Sequence, residues 1–298
     1  MTILRLMRVV ILGAGLMGAQ IGCEYALGGH DVVLYARDLD RASERVAAGL
    51  ALVTAQGLRT KSEGDAAAAR VSTAADAAAA ADGAALMVES LPEELELKTA
   101  VLRVARGVAP DAVIATNTSS LSISAIGEAI DAPETTVGTH YLNPPLLMPP
   151  VEVVAGTRTS EQTVAFACAT VESLGKLPVV VRRDVPGFIW NRLQFALLRE
   201  CAWLVENGVA SAEDVDTVMR EGLARRWRHV GPLRSIALGG IDTWNLSGRN
   251  IVPELSTKPE LPDLDGVAIT GGDLARDAAE RDEALARELR DAHQGGTE

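Results

Sequence analysis

Four side chains in this sequence are of the types that take a proton from an alcohol and hold the oxygen left behind: Ser119, His140, Glu152 and Asn191. Ser119 follows the apolar run Ala112–Thr116, and His140 closes another in Gly138-Thr-His-Tyr-Leu-Asn-Pro-Pro145. Glu152 lies in Pro149-Pro-Val-Glu-Val-Val154, and Asn191 opens a helical pattern in Gly187-Phe-Ile-Trp-Asn-Arg-Leu193. Histidine suits this chemistry because its ordinary pKa lies near neutrality, so it accepts a hydroxyl proton as hydride leaves the carbon. A carboxylate beside it fixes the tautomer and stabilises the imidazolium. Hydroxyl and amide groups hold the substrate oxygen. Taken singly, each of these residues is more often structural; together, at strand ends and a helix start, they fit alcohol oxidation.

Hydride transfer needs an acceptor, and the N-terminal stretch supplies a place for one. Arg8-Val-Val-Ile-Leu-Gly-Ala-Gly-Leu-Met-Gly-Ala-Gln-Ile21 reads as strand, glycine turn and helix, the context that makes G-x-G-x-x-G a dinucleotide fingerprint. Gly13 permits the tight turn, Gly15 lets the backbone approach a pyrophosphate, and Gly18 lets helix pack on strand. Leu16 and Met17 belong to the same candidate cofactor set. A glycine turn without a ligand is the alternative. The next strand, Asp31–Tyr35, ends at Ala36-Arg37-Asp38, where an NAD site usually carries a carboxylate for the ribose 2′-hydroxyl. Ala36 lacks it, and Arg37 beside it suits a 2′-phosphate. Asp38 either turns inward to replace the carboxylate or caps the following helix. NAD and NADP therefore both stand as candidate cofactors.

Around these residues, strands alternate with helical segments at Val9–Leu12, Asp31–Tyr35, Ala85–Glu89 and Ala112–Thr116, the pattern of a doubly wound, mostly parallel α/β sheet. Further β-like runs follow at Thr136–His140, Pro150–Val154 and Leu177–Val181. Residues 40–58 are helical. The alanine-rich stretch Gly57–Gly83 reads as a helix with Ser72 as its N-cap, and Pro92–Lys98 as a helix start with acids in its first turn. Beyond Asp184 the pattern is helical, with a proline-rich loop at 253–265 and a charged helix at 274–292. The expected organisation is a Rossmann-type domain over 1–184 and an all-α domain over 185–298.

The motifs together resemble the 3-hydroxyacyl-CoA dehydrogenase superfamily over roughly residues 7–250. They are Gly13-Ala-Gly-Leu-Met-Gly18, Val88-Glu-Ser90, Asn117-Thr-Ser-Ser120, His140-x-x-Asn-Pro144, Val151-Glu-Val153 and Asp184-Val-Pro-Gly-Phe-Ile-Trp-Asn-Arg192. The resemblance implies His140 as base, Glu152 as its partner, and Ser119 and Asn191 on the substrate oxygen. It also implies Glu89 and Asn117 along the cofactor and substrate cleft, and a homodimer formed through the helical domain. Two features depart from the enzymes acting on CoA thioesters. Asn143-Pro-Pro-Leu-Leu-Met-Pro-Pro150 replaces their Asn-Pro-Val-Pro, and their Lys-x-Gly-x-Gly-x-Tyr ending is missing. The sequence is more similar to the branch holding lambda-crystallin/L-gulonate 3-dehydrogenase and carnitine dehydrogenase, whose substrates are small hydroxy compounds.

A free anionic substrate also gives a reason for Arg220 and the run Arg225-Arg-Trp-Arg228. Arg226, at a position where that branch carries an arginine, is the candidate carboxylate contact. Cations at a helix C-terminus or a dimer contact are the alternatives. Asn143 joins Ser119, Asn191 and Arg226 in the expected substrate set. The net charge of −12 and 3% aromatic content disfavour nucleic acid and anionic membranes as partners. The three cysteines, Cys23, Cys168 and Cys201, read as buried free thiols, no metal-ligand spacing is found, and a cytoplasmic location is expected. The rivals are a 3-hydroxyacyl-CoA or carrier-thioester dehydrogenase and a non-catalytic dinucleotide-binding protein of the crystallin kind.

Overall fold

The computed structural model describes residues 6–260, 262–268 and 273–295. Its chain divides into two compact units, Met1–Ile189 with Ala275–Glu298, and Trp190–Leu274.

The first unit is built on a sheet of eight strands: β1 Arg8–Leu12, β2 Asp31–Tyr35, β3 Val71–Ala74, β4 Leu86–Glu89, β5 Val113–Thr116, β6 Thr136–Tyr141, β7 Pro150–Ala155 and β8 Leu177–Val181. Their order is β3-β2-β1-β4-β5-β6-β7-β8, and every neighbouring pair is parallel except β6 with β7. The helices are α1 Leu16–Leu27, α2 Leu39–Ala55, α3 Lys61–Ala68, α4 Ala77–Ala81, α5 Leu95–Val108, α6 Ile123–Ala129 and α7 Glu161–Ser173. Strand β1 explains the unbroken apolar run of the sequence. Val9 and Ile11 pack into one core cluster while Val10 and Leu12 pack into another, so both faces of the strand are covered. The chain order reverses between β1 and β4, which puts the ligand crevice of such a sheet at the ends of these strands.

Two expectations change. The stretch 57–83 is not one helix: α3 and α4 flank strand β3, and Ser72 lies inside the strand, opposite Val33. The caps are Thr60, in a full capping box, and Asp76. Alanine's helix propensity outvotes one short edge strand locally, whereas β2 supplies the hydrogen-bond partners that decide it. Helix α5 starts at Leu95 with Glu94 at its cap, leaving Glu93 outside the helix and free to reach elsewhere. The compact units divide after Ile189, and the last helix, α14 Leu274–Gly295, groups from Ala275 onward with the sheet unit. Ala286 on α14 is fully buried, and the Arg290 guanidinium donates to the Gln56 carbonyl at the end of α2.

The second unit contains α8 Trp190–Glu206, α9 Ala212–Val218, α10 Arg225–Val230, α11 Pro232–Gly239, α12 Ile241–Ile251 and α13 Leu264–Val267, and no strand among its described residues. A π-helical turn, Met219–Ala224, joins α9 to α10. Ser211 caps α9 by accepting the Asp214 N–H, and Lys258 ties the extended segment after α12 to Glu206 at 2.7 Å. No helix among the described residues is long and apolar enough to cross a membrane. Cys23 is buried, while Cys168 and Cys201 are only half-buried; all three are free thiols.

Candidate active site

The glycine turn sits where β1 gives way to α1. Gly13 has φ +112°, and a Cβ there would lie 2.6 Å from the Ser90 carbonyl oxygen; at Gly18 it would lie 1.8 Å from the Gly13 carbonyl oxygen. Those two positions are closed by the protein itself. At Gly15 a Cβ would meet nothing within 4 Å, so this face of the turn is open to a ligand. A cleft of about 740 Å³ runs past it, lined on one side by Gly13–Met17, Tyr35–Asp38, Arg41 and Arg45 and on the other by Ser90–Glu93, Leu97, Val101, Asn117, Ser119 and Ser120. Gly13, Gly15, Leu16, Met17, Ala36, Arg37 and Asn117 all border it; Gly18 serves only the packing of α1 on the turn. Size, open glycine and phosphate-facing helix start together fit a dinucleotide.

Beyond Ser119 lies the polar group that the spacing pointed to. His140 and Glu152 are direct cross-strand partners in the antiparallel pair β6–β7, so their side chains share one face. The turn between these strands, residues 142–149, is too short for a parallel crossover, which is why this pair alone runs antiparallel. Glu152 Oε2 is 2.7 Å from His140 Nδ1, and Ser119 Oγ is 3.2 Å from Nε2. An ionised carboxylate accepts only, so Nδ1 carries the hydrogen and Nε2 offers a lone pair toward Ser119. Both His140 and Glu152 are buried, at 4% and 3% exposure, whereas Ser119 is exposed to the cleft. The Ile189 N–H donates to Glu152 Oε1 at 2.8 Å, and Phe188 packs edge-on against the imidazole with centroids 5.6 Å apart. Phe188 adopts φ +48°, a conformation that non-glycine residues rarely take.

Ser119 is positioned by residues that the sequence reading did not single out. Glu93 Oε1 accepts from Thr118 Oγ1 (2.6 Å), Ser119 N (2.9 Å), Ser120 N (2.8 Å) and Ser120 Oγ (3.0 Å). Burial pushes the Glu93 carboxyl up, but these bonds and the Lys98 ammonium outweigh it and hold the pKa down at about 2. Lys98 is itself buried, 2.7 Å from Glu89 and 3.2 Å from Glu93. Glu89 also accepts from Thr116 Oγ1 at 2.6 Å and from the Leu91 N–H at 2.6 Å. Glu89, expected along the cleft, therefore lies beneath it with no exposed surface, supporting the wall rather than lining it. The available signal was the Glu89-x-x-x-Glu93 pair with a lysine five residues later, in a chain with few lysines. Asn117 links two strand ends, its Oδ1 accepting from the Tyr141 N–H at 2.8 Å.

The remaining candidates are carried by other elements. Asn143 is exposed in the β6–β7 turn. Asn191 is the second residue of α8 and Arg226 the second of α10, both in the second unit, with Arg226 exposed and in no ion pair among the described residues. Asp38 is the N-cap of α2, its Oδ1 accepting from the Arg41 N–H at 3.0 Å, and it also borders the cleft.

Comparison with known proteins covers both units. Residues 8–185 match the family described as 3-hydroxyacyl-CoA dehydrogenase, NAD binding domain, and residues 187–262 match 3-hydroxyacyl-CoA dehydrogenase, C-terminal domain. The chain is 35% identical to 5-formyl-3-hydroxy-2-methylpyridine 4-carboxylate 5-dehydrogenase of Mesorhizobium japonicum, over 85% of this chain and 82% of the relative. It is 33% identical to L-carnitine dehydrogenase of Streptomyces coelicolor, over 95% of this chain and 94% of the relative. A crystal structure of the pyridine-carboxylate dehydrogenase, described as an NAD+-dependent dismutase, superposes with a TM-score of 0.86 at 31% identity, covering 96% of this chain and 98% of that one.

Proposed function

Because the chain belongs to the 3-hydroxyacyl-CoA dehydrogenase family, which acts on CH–OH groups with a nicotinamide dinucleotide, we propose that it oxidises the secondary 3-hydroxyl of a small anionic hydroxy acid, or reduces the matching 3-keto compound. The observation that carries this reading is the relay Ser119 Oγ–His140 Nε2–Nδ1–Glu152 at the inner end of the cleft, with distances of 3.2 and 2.7 Å. The dinucleotide, when bound, supplies the hydride acceptor. Gly13, Gly15, Leu16 and Met17, which border the cleft, would hold its phosphates, and Asn117, which also borders it, would lie along the bound dinucleotide.

The substrate hydroxyl, placed within reach of both Ser119 Oγ and His140 Nε2, would donate its proton to Nε2 as hydride leaves its carbon for the dinucleotide. The resulting imidazolium keeps its Nδ1–H on Glu152, which stays ionised and holds the ring in one orientation. Ser119 donates to the substrate oxygen as its charge grows, and its own backbone is fixed by Glu93. In the reverse direction the imidazolium returns the proton to the carbonyl oxygen. Asn143 and Asn191 are assigned to substrate oxygens and Arg226 to a carboxylate, for which a guanidinium gives a bidentate match. The small acids named in two of the relatives support a free acid as substrate. Exposed leucines of the helical unit, Leu233, Leu238 and Leu246, support a homodimer formed through it.

The test is a panel of free 3-hydroxy acids, carnitine-like compounds and 3-hydroxyacyl thioesters, followed by reduced-nicotinamide absorbance. Turnover of a free acid that is lost in His140→Ala supports the proposal. Strong preference for a CoA thioester moves the substrate assignment, and binding of dinucleotide without turnover of any compound favours a non-catalytic protein. Light scattering checks the dimer.

A further inference from the structure

We infer that the outer end of the cleft is a subsite for the 2′-phosphate of an NADP-type dinucleotide, formed by Arg37 and Arg41. This rests on the reading that a nicotinamide dinucleotide occupies the cleft. Three observations place the site there. First, Ala36 stands where β2 leaves the sheet, its N–H bonded to the Ala74 carbonyl at 3.1 Å, and it brings no carboxylate to the ribose. A carboxylate at that point would accept from a 2′-hydroxyl and repel a 2′-phosphate. Second, the nearest acid, Asp38, is committed to the start of α2 through its bond with the Arg41 N–H. Third, Arg37 and Arg41 border the cleft, are exposed, and form no ion pair among the described residues.

Acidic residues outnumber basic ones in this chain, 40 to 28, and some surface arginines pair with them, Arg70 with Asp31 and Arg158 with Glu134 among them. Of the acids near the two cleft arginines, Asp40 and Glu44 on α2 do not border the cleft, and Asp38, which does, spends its Oδ1 on the Arg41 N–H. Arg45, one turn beyond Arg41, is anchored at 2.8 Å to the Ala14 carbonyl of the glycine turn, so the wall carrying the cations is tied to the phosphate-binding loop. Two exposed guanidinium groups in no ion pair among the described residues match a phosphate dianion, which each can bind through two parallel N–H bonds.

The test is direct binding, read without any substrate. The purified full-length chain is titrated with NADPH and with NADH by nicotinamide fluorescence, and with adenosine 2′,5′-bisphosphate against 5′-AMP by displacement. NADPH is expected to bind at least about tenfold tighter than NADH, with the bisphosphate displacing it and AMP doing so poorly. Arg37→Ala and Arg41→Ala should each weaken NADPH at least about tenfold more than NADH, and Ala36→Asp should reverse the preference. Circular dichroism checks that these surface variants keep their fold. Equal or tighter NADH binding, or equal weakening of both dinucleotides in the arginine variants, overturns the inference. Turnover through His140 with an NADH preference sinks the inference alone, and an NADPH preference without turnover on the substrate panel sinks the functional proposal alone. Failure to bind either dinucleotide overturns both.

Discussion

The two ends of the cleft are built by opposite means. At the inner end the polar groups are paired within the protein: His140 and Glu152 are nearly buried and bonded at 2.7 Å, and the Ser119 backbone is held by Glu93. At the outer end Arg37 and Arg41 are exposed and lack ion-pair partners among the described residues. Buried, mutually bonded groups keep one geometry whether or not substrate is present, which suits proton transfer, where reach and alignment set the rate. Exposed cations gain most when an anion arrives, which suits recognition of a charged group. The proposed chemistry at one end would rest on preorganisation, and the inferred recognition at the other on unmet charge.

The largest effect that separates the two ends is expected from His140→Ala, with turnover falling about 10³–10⁴-fold while dinucleotide affinity stays within twofold; single-turnover kinetics beside fluorescence titration checks both. A comparable loss of cofactor binding would mean that the ends are not independent. Next comes Lys98→Met, which strands the Glu89 carboxylate without its partner in a buried site and should cost about 3–5 kcal/mol in chemical denaturation. Adding Glu89→Gln should recover a substantial part of that loss, and no recovery would show that the pair is not the cause. Glu152→Gln should lower turnover about 10²-fold, because the new amide donates to Nδ1 and forces the hydrogen onto Nε2. The smallest effect concerns Glu93. Its carboxyl titrates at about 2 when folded against an ordinary 4.5, so its stabilisation is complete above pH 4.5 and is lost as pH falls through 2. The melting-temperature gap between wild type and Glu93→Gln should therefore shrink steadily from pH 5 to pH 2. A constant gap would remove Glu93 from the support of Ser119.

Much of the inner end was legible in the sequence because its residues sit at strand ends, where local pattern and position agree. Ser119 and His140 are followed or preceded by apolar runs that end at the right edge of the sheet, and the short turn before Glu152 leaves the chain little choice but to double back. Its supports were not legible. Glu93 reads as an ordinary acid before a helix, and only packing reveals that one of its oxygens holds three consecutive residues located 25 to 27 positions later. Glu89 shows the converse, a residue whose motif suggests the cleft and whose burial removes it from the surface. Strand β3 was hidden for a related reason, since alanine-rich neighbours favour helix and its ladder partner lies some 40 residues away.

The sequence by itself determined the dinucleotide turn, the chemical types of the proton-transfer group and the missing acid at Ala36, since these are set by residue identity and short-range spacing. Only the tertiary structure decided which carboxylates are spent on support, that Asp38 caps α2, and which arginines remain unpaired. Hydrogen-bond partners and burial are properties of distant chain segments brought together, and no local pattern encodes them.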